Sequence, residues 1–105
     1  MSQQQLLEQK MSFPQILRSY GKQFIQIRKR YSDGHNGRCA IGVLMSYYGW
    51  NGKGDSKAEE KLNEALGELK QAGISKSFVL QLNDSGMSFD KIAEYVDIVD
   101  NCRFD

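Results

Sequence analysis

The segment Cys39-Ala40-Ile41-Gly42-Val43-Leu44-Met45-Ser46-Tyr47-Tyr48-Gly49-Trp50 sets the class of fold this chain can adopt. On a 3.6-residue period Cys39, Val43, Leu44 and Tyr47 fall on one stripe, with Ala40 and Tyr48 at its edges, so Cys39 to Tyr48 reads as a buried helix. Gly42 costs about 1 kcal/mol relative to Ala inside a helix. Its presence implies that another backbone packs against that position. Gly49 stops the helix, and Trp50 is the apolar residue that folds back after such a stop.

Toward the C-terminus, Asn51-Gly52-Lys53-Gly54 reads as a loop. Ser56 and Glu59 then fit a capping box at the head of a helix over 56–72. Its apolar stripe is Ala58, Leu62, Ala65, Leu66 and Leu69, with Glu60, Glu64, Glu68, Lys57 and Lys61 on the wet face and Gly73-Ile74 as the stop. A short helix from Ser75 or Ser77 to Leu82 buries Phe78, Val79 and Leu82. Asn83-Asp84-Ser85-Gly86 reads as a turn, and Ser88 caps a last helix whose apolar face is Phe89, Ile92, Ala93, Val96 and Val99. Residues 100–105 are expected as an irregular tail.

Toward the N-terminus, Ser32-Asp33-Gly34-His35-Asn36-Gly37 reads as a tight loop, because Asp-Gly and Asn-Gly tolerate positive φ. Phe24-Ile25-Gln26-Ile27 leaves two conformations open. An extended segment puts Ile25 and Ile27 on one face; a short helix buries Phe24, Ile27 and Tyr31. Pro14 fits the first position of a helix that runs to Tyr20, buries Phe13, Ile16 and Leu17, and stops at Gly21. A further helix, fraying at its end, is expected over 2–10 within the first twelve residues, with Leu6 and Leu7 inward. The expected fold is therefore mainly α: a single compact domain over 1–105, of about five short helices, with room for a minor β element around residues 23–38.

The bulk numbers agree with one globular domain: 105 residues, 40% hydrophobic and 26% charged. No apolar run approaches the ~20 residues of a membrane span, and the first residues lack the layout of a secretory signal, so a cytoplasmic protein without membrane association is expected. Two cysteines, Cys39 and Cys102, do not make a disulfide framework. The net charge is +1, but its distribution is uneven. Arg18, Lys22, Arg28, Lys29, Arg30 and Arg38 face only Asp33 within 18–38, whereas Asp84, Asp90, Glu94, Asp97, Asp100 and Asp105 outnumber Lys91 and Arg103 later on. Either the two segments neutralise each other by packing, or the first is a basic face for a polyanion.

Motifs for chemistry are sparse. A calcium loop at Leu82–Phe89 fails on spacing: with Gly86 at the invariant glycine, its ligand positions fall on Gln81 and Ile92. Gly86–Ala93 resembles the first helix of a DNA-reading helix-turn-helix, but acidic residues follow where a basic recognition helix is needed. Cys39 stands near a helix N-terminus, beside Arg38 and four residues after His35, conditions that lower a thiol pKa. A nucleophile would still need an oriented base and an oxyanion pocket. His35, Cys39 and Cys102 lack a fourth soft ligand for zinc. Tyr47, Tyr48 and Trp50 follow the basic segment, a layout that serves either base stacking or core packing.

In order and spacing, Leu17-Arg18-Ser19, Cys39-Ala40-Ile41-Gly42-Val43-Leu44, and Leu82 through Phe89 followed by Ile92-Ala93 resemble a class of short uncharacterised bacterial and phage proteins. The shared elements are a Cys-x-x-Gly-Val-Leu helix and a Leu-Asn-Asp-x-Gly-x-Ser-Phe-x-x-Ile-Ala motif, over roughly 13–98. The chain departs from the class in its longer charged helix at 56–72 and in Ala40, where many such sequences carry a second Cys. The resemblance implies a phage- or mobile-element-related accessory protein, transfers no catalytic residue or cofactor, and singles out Asn83, Asp84, Gly86 and Ser88 together.

The function expected from these readings is non-enzymatic binding of a macromolecule, with another protein as partner. No catalytic residue, metal or cofactor is assigned. The candidate binding residues are Arg28, Lys29, Arg30, His35, Arg38 and Trp50, with Asn83, Asp84, Gly86 and Ser88 as a structural turn motif. The alternatives are a nucleic-acid-associated protein using the basic 18–38 segment, and an enzyme dependent on Cys39.

Overall fold

The computed structural model describes residues 11–54, 58–71 and 73–102. Among the described residues, five α-helices and one two-stranded sheet make a single, mainly α domain. The helix expected over 2–10 and the capping residue Ser56 lie outside the described residues.

Helix α1, Phe13–Ser19, begins at a capping box. The Gln15 N–H donates to Ser12 Oγ and the Ser12 N–H donates to Gln15 Oε1, which satisfies two free donors of the first turn. Pro14 thus occupies the second helical position rather than the first. Phe13, Ile16 and Leu17 are buried as expected. Gly21 does not end the helical run, which continues as a 3-10 turn over Tyr20–Gln23. An added Cβ at Gly21 would sit 3.0 Å from Phe89 Cδ2, so close packing explains this glycine better than a stop does.

The extended option holds for the next segment: β1, Ile25–Gln26, pairs in parallel with β2, Gly37–Arg38. The faces are the reverse of an apolar-in strand, since Ile25 is 67% exposed and Gln26 turns toward the helices. The short helix burying Phe24, Ile27 and Tyr31 does not form. In the intervening loop the Asp33 carboxylate accepts the N–H groups of His35 and Gly37 at 2.8 and 3.0 Å.

Helix α2, Ala40–Tyr47, is the centre of the fold. Every residue from Ala40 through Ser46 is buried, so it is enclosed all round rather than along one stripe. A Cβ on Gly42 would overlap the Tyr31 carbonyl oxygen, the close backbone approach that a helical glycine implies. Helix α1 packs on α2 and on α5, Phe89–Cys102; α3, Ala58–Gln71, and α4, Lys76–Asp84, pack on α2. Ala65 and Leu69 of α3, Val79 of α4, and Ile92, Ala93 and Val96 of α5 complete the core. Burying each large aliphatic side chain among these contributes about 1.5–3 kcal/mol.

Three helix ends share one closure. Gly49, Gly73 and Gly86 have φ of 106°, 78° and 103°. The N–H of the following Trp50, Ile74 or Met87 donates back to Met45, Leu69 or Leu82, respectively. The third closure corrects the expected turn at Asn83-Asp84: both residues belong to α4, and only Ser85 and Gly86 turn. Ser88 caps α5 through Lys91 N–H at 3.2 Å. Helix α5 runs to Cys102, so the tail expected from residue 100 is helical over its first three positions. No helix among the described residues is long and apolar enough to cross a membrane.

Candidate functional site

The two stretches singled out in the sequence, the basic segment and the Leu82–Phe89 motif, are joined in space by side-chain amides. Asn83 is completely buried and works on three sides. Its Oδ1 accepts the Ala40 N–H at 3.1 Å, a free donor at the start of α2, and Gln26 Nε2 at 2.9 Å. Its Nδ2 donates to the Ile27 carbonyl at 2.7 Å. Gln26 continues the network, donating to the Met87 carbonyl and accepting the Phe89 N–H at the head of α5. One residue further on, Asp84 Oδ1 accepts the Lys29 N–H at 2.9 Å. The loop carrying the cations is therefore hung on the end of α4.

Lys29 is the one described residue other than glycine with positive φ, at 68°. The left-handed region costs a residue with a Cβ about 1–2 kcal/mol. Here the Asp84 carboxylate offsets that cost by bonding the strained N–H. The result is a pocket of about 380 Å³ between the loop and α4, lined by Lys29, Arg30, Tyr31, Leu80 and Asp84. Lys76 Nζ donates to Tyr31 Oη at 3.3 Å, while Lys76 itself lines the neighbouring groove along α3. Residues 76, 80 and 84 share one face of α4 by their spacing of four. Lys29 and Arg30 are exposed, so their charged ends meet solvent or a ligand.

The other expected binding residues are dispersed. Arg28 reaches over Gly86, where an added Cβ would stand 3.1 Å from Nη2. His35 is exposed in the loop and contributes its carbonyl to Arg38. Arg38 is the main correction. It is 4% exposed and cannot present its charge to a polyanion. Its Nε donates to Ser46 Oγ at 2.8 Å, and Nη1 donates to Ser32 Oγ and to the carbonyls of His35 and Gly37. The guanidinium lies over the Phe24 ring at 4.5 Å and near the Trp50 ring at 5.7 Å. Burial pulls its pKa down while Asp33 and Tyr20 act in the opposite direction. Trp50 is buried as well, with Nε1 donating to the Lys53 carbonyl. Tyr48 is tied to Glu68, and burial together with that carboxylate pushes its phenol up to about 12. No stacking platform of Tyr48 and Trp50 beside free arginines is formed.

The thiolate reading is also corrected. Cys39 is the N-cap of α2, 1% exposed, with Sγ accepting the Gly42 N–H. Burial raises its pKa, outweighing the opposing backbone N–H groups. It is a free thiol. Among the described residues no group of three or more His, Cys, Asp or Glu is placed to hold a metal ion. Helices α4 and α5 do form a helix–turn–helix pair, but α5 presents Asp90, Glu94 and Asp97, which a DNA phosphate backbone repels. Among the described residues the opposed charges of the two halves meet at one short ion pair, Arg18 Nη1 to Asp97 Oδ2 at 2.8 Å. Both partners are nearly half exposed, so it contributes at most about 1 kcal/mol.

A wider groove of about 690 Å³ runs between α3 and the start of α4, past Leu66, Lys70, Ile74 and Lys76. Its lining is mostly apolar and carries two lysines, Lys70 and Lys76, with no acidic residue. No family model, no curated protein and no solved structure matches this chain.

Proposed function

We propose that this chain is a non-catalytic binding module of the cytoplasm that engages another protein, holding an anionic side chain of that partner in the pocket between the Lys29–Tyr31 loop and α4. The observation that carries this reading is the convergence of Lys29 and Arg30 on one pocket walled by Tyr31 and Leu80. A compact cationic pocket with apolar walls suits one charged group on an apolar stem. A nucleic acid strand needs phosphate contacts repeated along a track, with aromatic faces for its bases. Burial of Arg38 and Trp50 removes the residues that would have extended such a track. A phage or mobile-element setting follows from the sequence resemblance alone.

An array of short peptides tests this, each with a central Glu or Asp between varied apolar and aromatic neighbours. A subset is expected to retain the wild-type protein at physiological salt and to lose the Arg30→Glu variant. A 20-nucleotide single strand and a duplex serve as the competing arm. Tight oligonucleotide binding with a steep salt slope, and no peptide retained, would overturn the proposal in favour of nucleic acid.

A further inference from the structure

We infer that a second copy of this chain covers the groove between α3 and the start of α4, seating the outer face of its own α5 there. This contact is separate from the Lys29–Tyr31 pocket. Two exposed features answer each other in it. The first is the groove, about 690 Å³, with Leu66 and Ile74 in its walls, Lys70 and Lys76 as its charges and no acidic residue in its lining. The second is the outer face of α5. Three large apolar side chains are exposed among the described residues, and two of them, Tyr95 at 43% and Ile98 at 57%, stand on this helix. Their spacing of three makes them neighbours on one face.

The sign of the charge selects the occupant. Tyr95 and Ile98 each follow an acid, Glu94 or Asp97, and Asp90 lies one turn before Glu94. Against these three stand two bases, Lys91 at 4.0 Å from Glu94 and Arg18 on Asp97. The face is therefore acidic on balance. The Glu94 side chain is 62% exposed, which leaves its carboxylate open to a lysine of the groove. An apolar helix stripe edged with acid, laid in an apolar groove edged with lysine, takes both apolar surfaces out of water and sets opposite charges together. Both features border the first turns of α4. Ser75 and Lys76 line the groove, and Phe78 packs on Tyr95 with ring centroids 5.5 Å apart. A two-fold axis can thus seat each copy's α5 in the other's groove, which closes the assembly at a dimer. Reciprocity doubles the area of a contact that is small when made once.

Sedimentation velocity of the full chain over a concentration series tests this, with one variant for each side of the contact. Gly67→Gln fills the groove: Gly67 is in its lining, and an added Cβ there meets nothing within 4 Å, so the fold is expected to hold. Ile98→Lys removes the exposed apolar residue and sets a cation against Lys70, and a lysine is tolerated near a helix C-terminus. The wild type is expected to pass from monomer to dimer, and each variant alone to associate at least about tenfold more weakly. Lys53→Ala, on an exposed loop, is expected to behave as the wild type. Mixing the two variants is the decisive arm. The Gly67→Gln chain keeps its α5 face and the Ile98→Lys chain keeps an open groove, so one of the two contacts survives in the mixed pair. The mixture is expected to associate more tightly than either variant alone and more weakly than the wild type. A wild type that stays monomeric up to about 1 mM overturns the inference. Variants that associate like the wild type overturn it too, as does a mixture no tighter than its components. Growth beyond a dimer overturns the reciprocal arrangement.

Discussion

The carboxamides of Gln26 and Asn83 meet at 2.9 Å across 57 residues of sequence, and this contact docks the basic loop onto the helical core. Asn83 also holds the Ala40 N–H and the Ile27 carbonyl, so one buried side chain satisfies groups from α2, from the residue after β1, and from Gln26. Removing it strands those partners in the interior. Asn83→Ala is expected to cost about 3 kcal/mol, since each buried polar group left unpaired costs about 1–3 kcal/mol. Gln26→Ala should cost less, because Gln26 is only half-buried. The double variant should lose less than the sum of the two. Urea titrations of the four proteins check this, and additive losses would show that the two amides do not act together.

Two glycines inside helices should respond oppositely to alanine. Helix propensity alone favours Gly→Ala by about 1 kcal/mol at either site. At Gly42 the new methyl group would overlap the Tyr31 carbonyl oxygen, and at Gly67 it meets nothing within 4 Å. Gly42→Ala is expected to destabilise by about 3 kcal/mol, at the upper end of overpacking costs. Gly67→Ala should stabilise by up to about 1 kcal/mol. Melting temperatures moving in the same direction for both would refute the close approach of α2 and the loop.

Cys39 should behave as a buried thiol. In a Cys102→Ser variant, which leaves it as the single cysteine, a disulfide reagent at pH 8 is expected to react slowly until urea unfolds the chain. Its folded pKa is raised above the ordinary value. The contribution to stability is therefore complete below the unfolded pKa, and is lost as pH rises through the folded one. Reaction at the rate of a free thiol at neutral pH would restore the case for Cys39 chemistry.

Asp33 supplies a dependence on acid. The N–H groups of His35 and Gly37 hold its carboxyl below the usual value of 3.8. A lowered folded pKa gives stability that is present above the unfolded value and disappears as pH falls through the folded one. Between pH 5 and 3 the urea midpoint of the wild type should fall more steeply than that of Asp33→Asn. Equal slopes would mean that the loop does not depend on this carboxylate.

How far the chain could be read in advance differs from residue to residue. Gly49-Trp50 and Gly73-Ile74 marked helix ends correctly because a glycine followed by an apolar residue is a local signal. Gly86-Met87 carried the same signal, and it would have extended α4 to Asp84. The alternative, that Asn and Asp make turns, competed with it and was the wrong choice here. Gly42 announced its close neighbour, but nothing local could name Tyr31. A basic run reads as a solvated face, which places Arg38 among exposed cations. Only the approach of Ser32, Ser46 and the Phe24 ring, from three different elements, makes its burial tolerable.

By itself the sequence determined the helical class, most helix boundaries and the apolar faces, since these follow from periodicity, caps and stops within a few residues. Tertiary structure alone decided which polar residues are interior and which cations remain free. Burial of Asn83, Gln26 and Arg38 depends on partners up to 63 residues away, and a polar side chain is stable inside only where those partners arrive together. The pocket of Lys29, Arg30, Tyr31, Leu80 and Asp84 has the same origin: its walls come from a loop and a helix that are distant in the chain and joined through Asp84.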